Sequence, residues 1–236
     1  MNKLAVFDFD STIIDGDSGD FMETDDFNLP HHLEELYTQF NRPTRMNAAL
    51  DLINKKFSFN SDKVLERLRQ IRISDSMSNL IRKLKNHNFI LLIVSDGSSL
   101  FVEKILAENN LLDYFDHLIT NKASVNNQGL IQITPYFDQI NSLRPCDLCV
   151  KLCGKPSICK QAILIDYINN NNNIEKIFFI ADGENDYCAV LCLDENSYTF
   201  AKRNFALHKL IEQNSQEIKS KVIYWDNAND ISSYLD

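Results

Sequence analysis

Three runs of consecutive apolar residues stand out along the 236-residue chain: Leu4–Phe7, Phe89–Val94 and Ile177–Ile180. They do not alternate with polar residues, which is the pattern of strands buried on both faces in a parallel sheet covered by helices. Around them, apolar positions recur at helical spacing. Met77, Leu80, Ile81 and Leu84 share a face within Asp75–His87, and Leu100, Phe101, Ile105 and Leu106 share one within Ser98–Asn109; Ser157–Ile168 precedes the third run. This alternation predicts an α/β protein with a doubly wound parallel sheet. Residues 15–74 break it. There His31–Phe40, Thr44–Phe57 and Ser61–Ile71 read as helices, the last capped by Ser61, with little strand signal between them. The expected organisation is a core of residues 1–14 and 75–236 with a small helical cap, 15–74, inserted after the first strand. Asn169–Asn173 reads as a loop extension, and Val222–Trp225 with Asp226–Leu235 as a last strand and helix.

Composition is that of a globular protein, with 44% apolar and 24% charged residues. A net charge of −9 without a basic stripe argues against nucleic acid as a partner. No apolar run approaches the roughly 20 residues of a membrane span, and the N-terminus lacks the pattern of a signal peptide. The six cysteines all fall between Cys146 and Cys192. Without a secretory signal, reduced thiols or a metal site are expected before disulfides, in a cytoplasmic protein. Cys146 and Cys149 have the C-x2-C spacing of a zinc knuckle, but Cys153 and Cys159 follow irregularly, so a metal there stays open. Cys188 and Cys192, four apart, read as core packing.

The chemistry lies just past the apolar runs. The first leads into Asp8 and Asp10, the second into Ser95 and Asp96, the third into "ADGEND" with Asp182 and Asp186. Ligands of open parallel sheets sit at the carboxyl ends of strands, so neighbouring strands would gather these groups in one crevice. Two carboxylates 4 Å apart repel by about 4 kcal/mol at an effective dielectric near 20. A hard divalent cation, Mg²⁺, relieves that and takes carboxylates, waters and substrate phosphate as ligands. No histidine spacing suggests catalytic zinc. Asp8 is placed to attack a phosphoryl group and Asp10 to act as general acid and base. Asp8, the Asp10 carbonyl, Asp182 and Asp186 form the candidate metal set, and Thr12 and Ser95 are candidate phosphate donors. A fixed positive charge is also needed. Lys160 is the first candidate, with Lys151 and Lys155 as rivals that spacing does not exclude.

In order, "DFDST", "VSDG", "CK" and "ADGEND" resemble the four motifs of the haloacid dehalogenase superfamily. "FDFDSTIID", "CDLC…ICK", "DGENDYC" and the tail "AKRNFALHKLI" are similar to its phosphoethanolamine/phosphocholine phosphatase group, with its pyridoxal phosphate phosphatase relatives. The resemblance implies a Rossmann-like core with a helical cap, favours Lys160, and implies a small phosphorylated metabolite as substrate. It also implies a pair of acids facing a cationic head group. Asp96 matches one; Gly19 stands where the other is expected, and Asp20 follows as a partial stand-in. Ala181 replaces the first glycine of the last motif, which requires a negative φ there. The alternatives are a pyridoxal 5′-phosphate phosphatase or a catalytically silent scaffold of the same fold. Oligomeric state is not legible.

Overall fold

The computed structural model describes residues 2–20, 40–140, 142–171 and 173–235. Seven strands form one sheet: β1 (Asn2–Phe7), β2 (Phe89–Ser98), β3 (His117–Val125), β4 (Ile131–Thr134), β5 (Ile174–Ala181), β6 (Tyr198–Lys202) and β7 (Lys221–Trp225). Their order is β4-β3-β2-β1-β5-β6-β7. All neighbours are parallel except the β3–β4 pair, an antiparallel hairpin at one edge. The doubly wound α/β sheet is therefore present, with a reversal at its rim that the apolar pattern did not announce. The cause is local turn chemistry. Asn126 and Gly129, the latter at φ +73°, close the hairpin with Gly129 N–H donating to the Asn126 carbonyl.

Ten helices accompany the strands among the described residues. They are α1 (Arg42–Phe57), α2 (Ser61–Leu68), α3 (Asp75–Asn86), α4 (Ser99–Glu108), α5 (Tyr136–Gln139), α6 (Asp147–Cys153), α7 (Lys160–Asn170), α8 (Tyr187–Val190), α9 (Ala206–Gln213) and α10 (Ala228–Ser232). The apolar run of β1 explains itself in cross-section. Leu4 and Val6 point into one core with Leu92, Val94, Ile163, Phe179 and Leu207, whereas Ala5 and Phe7 point into the other with Leu91, Ile93, Phe101, Leu80 and Ile231. Each of the larger apolar side chains removed from water there contributes about 1.5–3 kcal/mol. A strand packed on both faces has no polar face to show.

Between β1 and β2 in sequence, α1 and α2 fall inside the 15–74 block; the helix expected over His31–Phe40 lies almost wholly outside the described residues. The α1 start is set by Asn41, whose side chain accepts from Thr44 N–H, with Pro43 in the first turn. The α2 cap is Asn60, which accepts from Lys63 N–H, and Ser61 is instead the first helical residue. The α1 helix docks on the β3–β4 hairpin through Asn47, which donates to the Ile133 carbonyl (2.7 Å) and accepts from the Ile133 N–H (2.8 Å). That bidentate clasp satisfies both edge groups of one residue of β4 and fixes where the N-terminus of α1 lies. No helix among the described residues is long and apolar enough to cross a membrane.

Candidate active site

The site begins where β1 stops. Phe7 is the last strand residue, and Asp8 extends the ladder by one bond, its N–H donating to the Ile180 carbonyl at 3.0 Å. The chain then folds tightly, with Ile13 N–H donating to the Phe9 carbonyl and Ser11 N–H to the Gly16 carbonyl. Ser11 sits at φ 57°, a left-handed conformation that costs a serine roughly 1 kcal/mol or more. Lys202, from β6, holds that turn by donating to the Ser11 carbonyl at 2.6 Å.

β1 lies between β2 and β5, the point where the winding of the chain reverses and a crevice opens at the strand ends. Asp8, Asp182 and Asp186 meet there, each with a carboxylate oxygen within 4.8 Å of the others. Lys160, the first residue of α7, enters from below. Its ammonium lies 2.8 Å from Asp8 Oδ1 and 2.5 Å from Asp186 Oδ1, and its side chain is only 1% exposed. Lys151 and Lys155 are exposed, Lys155 with its ammonium over the Phe40 ring. Asp186 does not cap the helix after it. Its second oxygen turns back to accept from Gly183 N–H at 2.9 Å, and a Cβ on Gly183 would sit 3.1 Å from that oxygen and 2.6 Å from Asn185 Oδ1, so a side chain there would push both carboxyl and amide aside. Ala181 ends β5 outside the left-handed region, which is why its methyl is accommodated.

Thr12 is 3% exposed, and its hydroxyl donates to Asp182 Oδ1 at 3.0 Å rather than standing open toward the crevice. Ser95 is buried within the last four residues of β2 and accepts from Gly97 N–H at 3.0 Å. A Cβ on Gly97 would lie 3.2 Å from Ser95 Oγ and 3.5 Å from Asp10 Oδ2, so Ser95 and Asp10 face each other across bare backbone. Asp96 is tied down by Ser157, whose hydroxyl donates to Oδ1, and by the Asn121 amide, which donates to the same oxygen at 3.2 Å and to the Asp96 carbonyl at 2.7 Å. Asp20 is exposed and folded back on its own loop, accepting from Asp17 N–H at 3.0 Å.

Asp10 has partners of its own. Ser18 N–H donates to Oδ1 at 2.7 Å, and Arg42, the first residue of α1, donates to Oδ2 at 2.7 Å while also holding Asp17 at 2.5 Å. Sequence reasoning missed Arg42. The faint signal was a cation at a helix N-terminus with no acid in the first turn, a placement the helix dipole disfavours. Asn121 and Ser157, equally missed, carry no such signal.

Burial dominates the ionisation of these groups. It pushes the Asp10 pKa up to about 7, although Arg42 pulls it down. Burial, and then the neighbouring Asp8 charge, lifts Asp182 to about 6. Burial lifts Asp186 to about 8 against the pull of Lys160. Burial alone would lower the Lys160 pKa, but Asp186 and Asp8 outweigh it and hold it above the ordinary lysine value. All the donors at this cluster are hard oxygens, which suits Mg²⁺ rather than a thiophilic metal.

Comparison with known proteins gives a consistent picture. A family model described as Putative Phosphatase matches residues 3–236. The "Thiamine phosphate phosphatase-like protein" of Arabidopsis thaliana is 29% identical over 98% of this chain and 93% of its own length. The pyridoxal phosphate phosphatase PHOSPHO2 of Bos taurus is 28% identical over 100% of this chain and 98% of its own. Among solved structures, a phosphoserine phosphatase bearing an analogue of its phospho-aspartyl intermediate superimposes with a TM-score of 0.60 at 17% identity, covering 100% of this chain and 99% of the other. At that identity the likeness speaks for the fold.

Proposed function

We propose a mechanism and a substrate class from one premise: the chain belongs to the Putative Phosphatase family and is a phosphatase of the haloacid dehalogenase superfamily. Asp8 Oδ is the nucleophile and forms an aspartyl-phosphate, which water then hydrolyses. The observation that carries this reading is the Asp8–Lys160–Asp186 contact at the end of β1, with Asp182 beside it. Asp8, Asp182, Asp186 and the Asp10 carbonyl would hold Mg²⁺, which when bound supplies charge for the phosphoryl oxygens. Lys160 stays protonated and holds the Asp8 carboxylate in line while donating to a phosphoryl oxygen in the transition state. Asp10, with a pKa of about 7, can carry a proton to the leaving oxygen and take one from the attacking water. Ser95 would donate its hydroxyl proton to the phosphoryl group, a reading supported by its buried position beside Gly97. Thr12 orients Asp182, the role of a group one step behind a metal ligand.

The substrate is a small soluble phosphate monoester, admitted beneath a cap built from α1 and α2 within residues 15–74, in the cytoplasm. Three features favour a substrate with a polar, non-cationic alcohol part, such as pyridoxal phosphate, over the cationic head groups of phosphocholine or phosphoethanolamine. Gly19 offers no side chain, Asp20 turns away into its own loop, and Arg42 sets a guanidinium beside Asp10. The six free cysteines fit a reducing compartment. The test is hydrolysis of an aryl phosphate with and without Mg²⁺, followed by a panel of pyridoxal phosphate, thiamine phosphate, pyrophosphate, phosphocholine and phosphoethanolamine. Mg²⁺-dependent turnover that disappears in Asp8→Asn supports the mechanism. Phosphocholine at the head of the panel would overturn the substrate part alone.

A further inference from the structure

The cysteines form a second centre, behind the carboxylates. Cys146, Cys159 and Cys188 each place a sulfur within 4.8 Å of the other two. They come from three separate places: the residue before α6, the residue before α7, and α8. Cys149 is buried and packs in the same cluster with Cys159 and Cys188. Two of the sulfurs act as acceptors of backbone hydrogen bonds. Cys149 N–H donates to Cys146 Sγ at 3.3 Å, and Cys146 N–H donates to Cys159 Sγ at 3.5 Å. A thiol packed as a small hydrophobe has no need of such donors; a thiolate does. The spacing that looked irregular along the chain is regular in space, because Cys188, which periodicity assigned to core packing, supplies a ligand from a distant element. No disulfide joins any of these cysteines.

We propose that Cys146, Cys149, Cys159 and Cys188 bind one Zn²⁺ as a structural tetrathiolate site. Zinc with four thiolates at about 2.3 Å puts the sulfurs about 3.8 Å apart, so the three grouped within 4.8 Å need to close by at most about 1 Å. Four soft ligands leave no open position for water, so the ion is structural rather than hydrolytic. Its place in the chain gives it a job. Cys159 directly precedes Lys160, and Cys188 follows Asp186 by two residues. Zinc would pin the two backbones that bring the Lys160 ammonium and the Asp186 carboxylate together at 2.5 Å. Cys153, half-buried at the edge of the cluster, and Cys192, which donates to the Ala189 carbonyl, lie outside the ligand set.

The experiment is elemental analysis of the full chain purified under reducing conditions and dialysed, with replacement of the metal by Co²⁺. The expected result is one zinc per chain, and a Co²⁺ form with sulfur-to-cobalt charge-transfer bands and intense tetrahedral d–d bands. Cys146→Ser and Cys159→Ser should lose zinc, whereas Cys153→Ser, Cys192→Ser and Asp182→Asn should keep it. Because a ligand variant can fail to fold, Co²⁺ titration of the chelator-stripped wild type provides the same answer without substitution. Wild type that holds no zinc and shows no charge-transfer band on Co²⁺ addition overturns the site. So does zinc that follows Asp182→Asn instead of the cysteine variants.

Discussion

Lys160→Met tests the electrostatic design of the site most directly. Methionine fills nearly the same volume, so packing is preserved, but the one ammonium touching the carboxylate cluster is removed. Lys160 is 1% exposed, Asp8 8% and Asp186 fully buried, so solvent cannot replace the lost charge. Removing one partner of a buried ion pair costs about 3–5 kcal/mol. For a chain of this size each kcal/mol moves the midpoint by about 2–4 °C, so a loss of roughly 6–20 °C is expected at pH 8. The sign of the pH dependence follows from the raised acids. Asp182 at about 6 and Asp186 at about 8 sit above the ordinary aspartate value of 3.8. Without Lys160 both rise further. A raised acid favours the folded state while protonated and loses that advantage as pH climbs from its unfolded to its folded pKa. At pH 5.5 the cluster in the variant takes up protons and the gap should shrink to about 2 kcal/mol or less. The assay is thermal and urea denaturation of wild type and variant at both pH values, free of divalent ions, then with Mg²⁺ added at pH 8. Mg²⁺ should narrow the gap by supplying the missing charge. A variant equal to wild type at pH 8, or a gap of the same size at both pH values, refutes the reasoning.

Thr12→Val removes the hydroxyl that orients Asp182 and should weaken Mg²⁺ activation by about tenfold or more, read as the Mg²⁺ concentration for half-maximal turnover. Arg42→Ala removes the cation that lowers the Asp10 pKa, so the alkaline limb of kcat/KM should move to higher pH; an unchanged profile would dissociate Asp10 from the proton transfer. In the metal-free wild type, Asp10, Asp182 and Asp186 all have pKa values raised above 3.8, so the stability these groups contribute is full only below about pH 4 and is lost progressively up to about pH 8, whereas saturating Mg²⁺ should flatten the decline. Denaturant midpoints across that range, with and without the ion, check it.

What could be read in the sequence follows burial. β1, β2 and β5 are covered on both faces and appear as unbroken apolar runs, and the acids just past them were visible for the same reason. β3 escaped because it is half-exposed and polar for much of its length, and β4 because it is four residues long. β6, "YTFAK", has a buried middle but polar ends, and is too short for its pattern to register. In the site, Asp8, Asp10, Asp182 and Asp186 are legible because their chemistry is adjacent in sequence to a strand. Arg42, Asn121 and Ser157 owe their positions to docking between distant segments. Asn121 reaches Asp96 from a neighbouring strand, and Arg42 reaches Asp10 from the start of a helix that docks on β4 through Asn47 and Ile133. The cysteine cluster behaves likewise, since Cys188 joins it through tertiary structure alone.

The central position of β1 has a consequence for how the molecule is made. One flank of β1 is covered by β2, the next strand to be made, but the other must wait for β5, residues 174–181, which follows β3 and β4 in sequence. Leu4–Phe7 therefore keeps one apolar edge open until β5 has been made. A nascent chain stalled before residue 174 should hold an unfinished sheet that chaperones recognise and that cannot yet turn over any ester.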